Sequence, residues 1–288
     1  MNDYVIFTDS ACDISPELLK EWGVPYLNLT FRFEGSELEY GNGDMPEKDF
    51  YDKMRQGSIA KTSAINAEIF NEAFENVLKQ GKDLLYIGFS SGLSATYNSA
   101  KIAAEELGKK YPERKILTVD SLAASAGFGL LLYLTLEQKN KGATIEEAAD
   151  FAEALKLKIC HWFTVDDLVY LKRGGRVSPA VALVGTVLGI KPVLHVDNEG
   201  HLISKAKVRG RKAAITAILN KFEELAEDKE NGTVFISHGD CRDEVKILED
   251  MIKEKYGNSV KVVTYVGPVI GAHAGPGVIA LFFVGKER

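Results

Sequence analysis

Small hydroxyl residues at four turns, together with one histidine, are the groups in this chain whose types and spacing could bind an anion. The turns are Thr8–Ser10, Thr62–Ser63, Ser90–Ser94 and Asp120–Ser121. His273 lies in the glycine-rich stretch 267–280, GPVIGAHAGPGVIA. Hydroxyls, backbone amides at a helix start and an imidazole can all donate hydrogen bonds to an anion. Each turn could equally be an ordinary helix N-cap, and His273 could be a packed side chain in a turn.

The stretch 84–100, LLYIGFSSGLSATYNSA, indicates which anion would fit. An apolar run ends in a loop of serines and glycine, and a helix-compatible sequence follows from Thr96. A phosphate-binding P-loop needs G-x-x-x-x-G-K-[ST], and a dinucleotide loop needs G-x-G-x-x-G; this loop has neither pattern and no lysine. A polyphosphate is therefore a poor fit, and a single carboxylate or one phosphoryl group is a better one.

The elements that must position these groups alternate between strand and helix in the first half. Apolar runs at 4–7, 84–89 and 115–119 are each followed by a helical pattern, which predicts a parallel sheet flanked by helices. The second half contains a predicted hairpin, 192–196 with 202–208, and so favours a mixed sheet. We expect an α/β protein of two lobes, residues 1–160 and 161–288, with a soft boundary across which segments could exchange. The polar turns would then meet at the carboxyl ends of strands, where ligands bind.

The composition of the chain and the spacing of its residues argue against several classes of protein. A net charge of −6 argues against general binding of nucleic acid, and no apolar run reaches the roughly 18 residues of a membrane span. The N-terminus, MNDYVIFTDS, shows no signal peptide. Three widely separated cysteines and no metal-like histidine spacing predict reduced thiols in a cytoplasm and no metal site.

Six fragments resemble the DegV family of bacterial fatty-acid-binding proteins, in that family's order and over essentially the whole chain. The fragments are VIFTDSACDIS, KTS at 61–63, SSGLSATYNSA, FTVDDLVYLKRGGRVS, IKPVLHVDNEG and VGPVIGAHAGPG. Each fragment alone is a weak signal, and together they are specific. The resemblance implies two α/β lobes with one long-chain fatty acid buried between them. It also implies a carrier with no cofactor, which presents the acid to a separate ATP-binding kinase subunit for acyl-phosphate formation in phospholipid synthesis.

The resemblance also implies roles for particular residues. Thr62 and Ser94 would hold the fatty-acid carboxylate, and His273 matches the histidine of the family's H-x-G-P-G turn. We assign supporting positions to Ser63, Ser91 and Gly92.

Two further sets of residues have both a functional and an ordinary explanation. Arg173, Arg176 and Arg209 belong to local basic clusters, which we assign to a kinase-facing or phosphate-facing surface, although a solvated face is the commonest reason for such clusters. Apolar residues that could surround the lipid tail, or simply pack in the core, are Phe128, Leu130, Leu131, Leu183, Val184, Val187 and Leu188.

Two enzymatic alternatives stay open at this point. A serine-dependent acyl hydrolase could use Ser94 or Ser91 with His273 as base, although the G-x-S-x-G pattern is missing. A phosphotransferase subunit similar to dihydroxyacetone kinases would need Mg²⁺ ligands, for which Asp9 and Asp120 are candidates.

Overall fold

The computed structural model describes residues 3–177 and 189–288. The strands are β1 (Tyr4–Asp9), β2 (Tyr26–Leu27), β3 (Thr30–Phe33), β4 (Tyr40–Gly41), β5 (Ala60–Ser63), β6 (Asp83–Gly88), β7 (Ile116–Asp120), β8 (Ile159–Thr164), β9 (Ile190–Val196), β10 (Leu202–Arg209), β11 (Val234–His238), β12 (Val262–Tyr265) and β13 (Ile279–Val284). The helices are α1 (Pro16–Glu21), α2 (Glu47–Arg55), α3 (Ala67–Lys79), α4 (Thr96–Lys110), α5 (Ser125–Asn140), α6 (Ile145–Leu155), α7 (Val169–Arg173), α8 (Arg211–Leu225), α9 (Arg242–Tyr256) and α10 (Pro268–Ala274). An apolar helix that the sequence favours at 180–188 lies outside the described residues.

A four-stranded parallel sheet, in the order β2-β1-β6-β7, forms the first layer. Its central strand β6, DLLYIG, is buried along its whole length. An apolar run of this kind suits a strand that is covered on both faces, and helices α3, α4 and α6 all pack on it. Three of the predicted polar turns, Thr8–Ser10, Ser90–Ser94 and Asp120–Ser121, follow or complete β1, β6 and β7, so they meet at one edge of this sheet.

A six-stranded mixed sheet, in the order β10-β9-β8-β13-β11-β12, contains the strands of the second half. Only its β11–β12 pair is parallel. The predicted hairpin is present as β9 and β10, joined by the turn Asp197–Gly200. One parallel and one mixed sheet confirm the predicted α/β fold class. Helix α5, which follows β7 of the first sheet, packs on β8, β11 and β13 of the second.

A small antiparallel sheet, β4-β3-β5, was not predicted. The sequence 24–33 is β-rich and favours strand structure, which the fold divides in two: β2 joins the parallel sheet and β3 pairs with β5. The Thr62–Ser63 turn therefore lies at the end of an antiparallel strand and not at the edge of the parallel sheet. Aromatic residues on this small sheet and on α2, among them Phe31, Phe50 and Tyr51, pack against Ala272 of α10. This packing holds β5 beside α10.

Within the described ranges, no helix combines the length and the apolar character needed to cross a membrane.

Candidate functional site

A cavity of about 240 Å³ lies where the three sheets meet. Its wall is mostly apolar and is formed by side chains that include Leu29, Phe89, Leu93, Phe163, Val269 and Phe282. These residues come from loops after β2 and β6, from β8 and β13, and from α10. The volume is a little below the roughly 300–1,000 Å³ usual for small-molecule sites, and the apolar wall with few polar groups is typical of them.

Thr62, Ser94 and His273 all line this cavity, although they come from three distant parts of the sequence. Thr62 Oγ1 lies 2.9 Å from His273 Nε2, within hydrogen-bond distance. Ser94 Oγ lies 2.9 Å from Thr96 Oγ1 and accepts a hydrogen bond from the Thr96 amide at 3.2 Å. When the Thr96 hydroxyl donates to Ser94, the Ser94 hydrogen stays free for a ligand. Thr62 and Ser94 are partly exposed, so this polar group marks the mouth of the cavity.

Local structure explains why Thr62 and Ser94 reach the mouth. Thr62 pairs with Phe31 across the β3–β5 ladder, and Phe31 is fully buried, which fixes the strand. Ser94 lies just before α4, and its amide donates to Ser90 O at 3.1 Å. The positive end of the α4 dipole therefore points toward Ser94 and favours a bound anion.

His273 is closely packed in the last turn of α10. Burial and, to a smaller extent, the nearby Arg176 charge lower its pKa to about 4, so the ring is neutral at pH 7. Its Nδ1 atom is buried without a hydrogen-bond partner among the described residues and faces Gly174, where a Cβ would overlap the ring. Gly275 ends α10 at φ +80°, and a Cβ there would overlap Tyr170. Gly174 beside the ring and Gly275 at the end of α10 therefore permit a packing that larger residues would prevent.

Two buried contacts that the sequence did not reveal hold the serine loop, residues 89–94. The Asp9 carboxylate accepts hydrogen bonds from Phe89 N at 3.0 Å and from Tyr86 OH at 2.6 Å, and burial raises its pKa to about 6. The hydroxyl of Ser90 donates to Gly200 O in the β9–β10 turn at 3.0 Å. Ser90 is fully buried and was not among the predicted site residues; nothing distinguishes it from its neighbours in the sequence.

The predicted supporting residues occupy different places. Ser63 lines the cavity beside Thr62. Ser91 is exposed, and its amide donates to Asp120 Oδ1 at 3.1 Å. Gly92 packs on the β9–β10 turn, where a Cβ would lie 2.7 Å from Glu199 O. Neither Ser91 nor Gly92 lines the cavity, so any support from them reaches it through the loop.

The three predicted basic residues are all exposed, and one of them lines the cavity mouth. Arg176 donates to Leu93 O at 3.3 Å and to Gly174 O at 2.5 Å. Arg173 ends α7, and its guanidinium lies 5.7 Å from the centroid of the Tyr170 ring. Arg209 ends β10 and does not line the cavity.

Of the seven residues proposed to surround the lipid tail, the three that the structure describes do not line the cavity. Phe128, Leu130 and Leu131 of α5 are fully buried in the core and do not line the cavity. The other four, Leu183, Val184, Val187 and Leu188, lie outside the described residues. Three buried polar residues line the cavity instead: Ser125 at the start of α5, His161 on β8 and Ser237 on β11. From the sequence, His161 is interpreted as a structural or surface residue, because it has no metal-like spacing to the other histidines.

The two enzymatic alternatives find little support in this geometry. The hydroxyl of Ser94 is bonded to Thr96, whereas His273 is bonded to Thr62, so no serine–histidine pair is assembled. Asp9 is fully buried, and Asp120 accepts the Ser91 and Leu122 amides. Within residues 3–177 and 189–288, no cluster of three His, Cys, Asp or Glu side chains could hold a metal ion.

Comparison with known proteins identifies relatives along the whole chain. A family model described as "Uncharacterised protein, DegV family" matches residues 3–286. A DegV domain-containing protein of Clostridium perfringens is 42% identical over 289 residues, which cover 100% of this chain and 99% of that protein.

Solved structures of similar proteins have the same fold. A DegV family protein from Thermus thermophilus, described for its fatty acid binding, has a TM-score of 0.88 at 29% identity and covers 99% of this chain and 100% of its own. A stearic acid-binding protein from Eubacterium ventriosum also has a TM-score of 0.88, at 26% identity, with 98% of each chain covered.

Proposed function

This chain belongs to the DegV family, and on that premise we propose that it binds one long-chain fatty acid in the cavity at the meeting point of its three sheets. The carboxylate lies at the mouth, against Thr62, Ser94 and His273, and the hydrocarbon chain lies between the apolar walls. The observation that carries the proposal is that these three side chains line one mostly apolar cavity, with Thr62 and Ser94 partly exposed and Thr62 within hydrogen-bond distance of His273. Fatty acid binding by the similar Thermus and Eubacterium proteins supports it.

The head group is satisfied by neutral donors. His273 is neutral at pH 7 and, in the tautomer protonated at Nε2, donates to Thr62 Oγ1. Thr62 then directs its own hydrogen to the carboxylate, and Ser94 supplies a second hydrogen. Hydrogen bonds to a charged acceptor are worth about 1.5–3 kcal/mol each. They offset the cost of removing the carboxylate from water.

The hydrocarbon chain supplies most of the affinity. A sixteen-carbon acid has about fourteen methylenes, and at about 0.8 kcal/mol each their burial is worth on the order of 11 kcal/mol. Association and ordering of the chain remove several kcal/mol of this gain. The remainder corresponds to roughly micromolar or tighter binding.

We further propose that the protein is a carrier in the cytoplasm and presents the carboxylate to a separate ATP-binding kinase subunit, which forms the acyl phosphate used in phospholipid synthesis. A partly exposed head-group site beside the exposed Arg176 suits attack on a phosphoryl donor that is held by another protein. Arg173 and Arg209 would extend the surface that faces that subunit or its phosphates.

Extraction of the purified protein with organic solvent, followed by mass spectrometry, tests lipid binding directly. We expect about one long-chain fatty acid per chain. Thr62→Val and Ser94→Ala should each weaken fatty acid binding by roughly ten-fold or more, because each removes a hydrogen bond to a charged group. Thr216→Val is a matched control, since the Thr216 hydroxyl is bonded to Lys212 O on α8, away from the cavity. Unchanged affinity in both mouth variants would show that the carboxylate binds elsewhere.

The kinase step needs a separate experiment. Arg173→Glu and Arg209→Glu, at two exposed residues that do not line the cavity, should reduce acyl-phosphate formation by an added fatty acid kinase subunit while the amount of bound lipid stays the same. Loss of the lipid itself would contradict the assignment of these residues to a partner-facing surface.

A further inference from the structure

The deep part of the cavity contains a polar sector, Ser125, His161 and Ser237, which the head group at the mouth does not use. These three side chains are at most 6% exposed, whereas Thr62 and Ser94 are partly exposed. Ser237 pairs with Ala280 on β13, and His161 pairs with Phe282 two residues further along the same strand. Residues two apart on a strand share a face, so His161 and Ser237 face the cavity from the same side of the mixed sheet.

The hydrogen bonds of His161 leave an acceptor free. Burial holds its pKa well below the ordinary value, so the ring is neutral. Its Nδ1 lies 2.9 Å from Ile159 O, and because a carbonyl only accepts, the hydrogen is on Nδ1. Nε2 is then an unprotonated acceptor, and it is buried without a partner among the described residues. A buried acceptor of this kind has a cost unless a donor reaches it.

The two serines also present acceptor capacity. Ser125 donates to Asp13 Oδ2 at 2.5 Å, and its oxygen lies 2.9 Å from Ser237 Oγ. With the Asp13 proton on Oδ1, Oδ2 accepts the hydrogen of Ser125, and Ser237 then donates to Ser125. The lone pairs of Ser237 Oγ are therefore left for a donor in the cavity. An unsubstituted hydrocarbon chain has no such donor.

We propose that this polar sector adapts the cavity to fatty acids that carry a hydroxyl group on the acyl chain. The hydroxyl donates its single hydrogen either to His161 Nε2 or to Ser237 Oγ, according to its position on the chain. The inference rests on the proposed function and specifies its substrate class. In a wholly apolar cavity a chain hydroxyl would lose its hydrogen bonds to water without replacement. Here the same hydroxyl gains a partner, and a buried imidazole gains the donor that it lacks.

Competition binding to the delipidated protein tests the proposal, with stearic acid and a positional series of monohydroxystearic acids as probes. We expect at least one isomer to bind as tightly as stearic acid or more tightly. His161→Leu should shift the affinity ratio toward stearic acid by roughly ten-fold, and Ser237→Ala by several-fold. His161→Gln, which keeps an amide near the position of Nε2, should restore part of the ratio.

His195→Leu is the matched control. His195 is also a buried imidazole, and its Nδ1 also lies near a carbonyl, His161 O at 3.0 Å, but it stacks on Trp162 and does not line the cavity. The ratio of the affinities for hydroxystearic and stearic acid in His195→Leu should equal that of the parent. Ser237→Ala removes only one oxygen atom. If His161→Leu does not fold, the affinity ratio is measured in Ser237→Ala instead.

Discrimination of roughly ten-fold or more against every hydroxylated isomer in the parent would overturn the inference, as would a ratio unchanged in both cavity variants. In either case, binding of stearic acid would leave the proposed function intact. Failure of all probes to bind would instead overturn the proposed function, and this inference with it.

Discussion

At the scale of single residues, the mouth of the cavity depends on where one imidazole ring is placed. His273 can support Thr62 only while its Nε2 atom stays at 2.9 Å from Thr62 Oγ1. The opposite side of the ring rests on the backbone at Gly174. The position of the ring is therefore set by a glycine about a hundred residues away, which the sequence gives no reason to connect with it.

Gly174→Ala should weaken fatty acid binding by several-fold. Gly174 has φ −73°, which alanine adopts easily, so the change acts through its methyl group, which would displace the His273 ring. Calorimetry with stearic acid measures the effect. Gly108→Ala on α4 is the control, because a Cβ there meets no atom within 4 Å. Equal affinity in the two variants would show that the ring position does not matter.

A second residue-scale prediction concerns Asp13, whose carboxyl is buried beside Ser125. Burial raises its pKa from 3.8 to about 8. The folded chain therefore keeps a proton that the unfolded chain releases. The resulting contribution to stability is complete below about pH 3.8 and is lost as the pH rises through 8.

Asp13→Asn should abolish the loss of stability that ionisation of Asp13 causes as the pH rises. The free energy of unfolding of the variant, relative to the parent, should rise between pH 6 and pH 8 by up to about 1.4 kcal/mol per pH unit. Urea titrations across this range measure it, and they largely avoid the titration of Asp9, whose pKa is about 6. Asparagine tolerates the left-handed backbone of Asp13 at φ 51°. A difference that does not change with pH would show that Asp13 is ionised in the folded protein.

At the scale of elements, the serine loop is held between two parts of the structure. Asp9 at the end of β1 binds its first amide, and the β9–β10 turn binds it through the Ser90 hydroxyl. Val196 and Leu202, which flank this turn, also line the cavity. The hairpin therefore covers part of the cavity and contacts the loop that carries Ser94.

Gly92→Ala should increase the rate at which bound fatty acid is released, by several-fold or more. The added methyl group would lie 2.7 Å from Glu199 O and would push the β9–β10 turn away from the loop. Stopped-flow transfer of a fluorescent fatty acid to excess albumin measures the release rate. Ser91→Ala, at an exposed neighbour whose side chain does not line the cavity, should leave the rate unchanged. A normal release rate for Gly92→Ala would show that the hairpin does not limit exchange.

At the scale of the whole molecule, one residue connects segments that are far apart in the chain. The guanidinium of Arg288 donates to the carbonyl oxygens of Leu122, Lys156, Ile159 and Asp197. These carbonyls belong to the loop after β7, the approach to β8 and the β9–β10 turn. Helix α5 adds a second connection, because it follows β7 of the parallel sheet and packs both on α6 and on β8, β11 and β13 of the mixed sheet. The predicted division at residues 1–160 and 161–288 stays a prediction, and β8, which begins at Ile159, lies across it.

Arg288→Met should lower the free energy of unfolding by about 2–4 kcal/mol, because it removes a charged donor and leaves partly buried carbonyls unpaired. Urea unfolding monitored by circular dichroism measures this change. Lys286→Met is the control: its side chain is exposed, and its backbone bond to Leu225 O is retained. A loss below about 0.5 kcal/mol would show that water replaces the guanidinium at these carbonyls.

The sequence by itself determined the local structure and the chemistry of the mouth. Apolar runs such as 84–89 have to be buried, and a serine loop without charge suits one carboxylate, so the parallel strands and the candidates Thr62, Ser94 and His273 could be proposed from residue type and from resemblance. Only the tertiary structure brought Thr62 to His273, because β5 belongs to a small sheet whose partners are chosen by packing and not by local propensity. It also decided that His161, Ser125 and Ser237 face the cavity while Phe128 does not. The reason is physical: the direction of a buried side chain depends on the register of its strand or helix against distant neighbours, and no local pattern records that register.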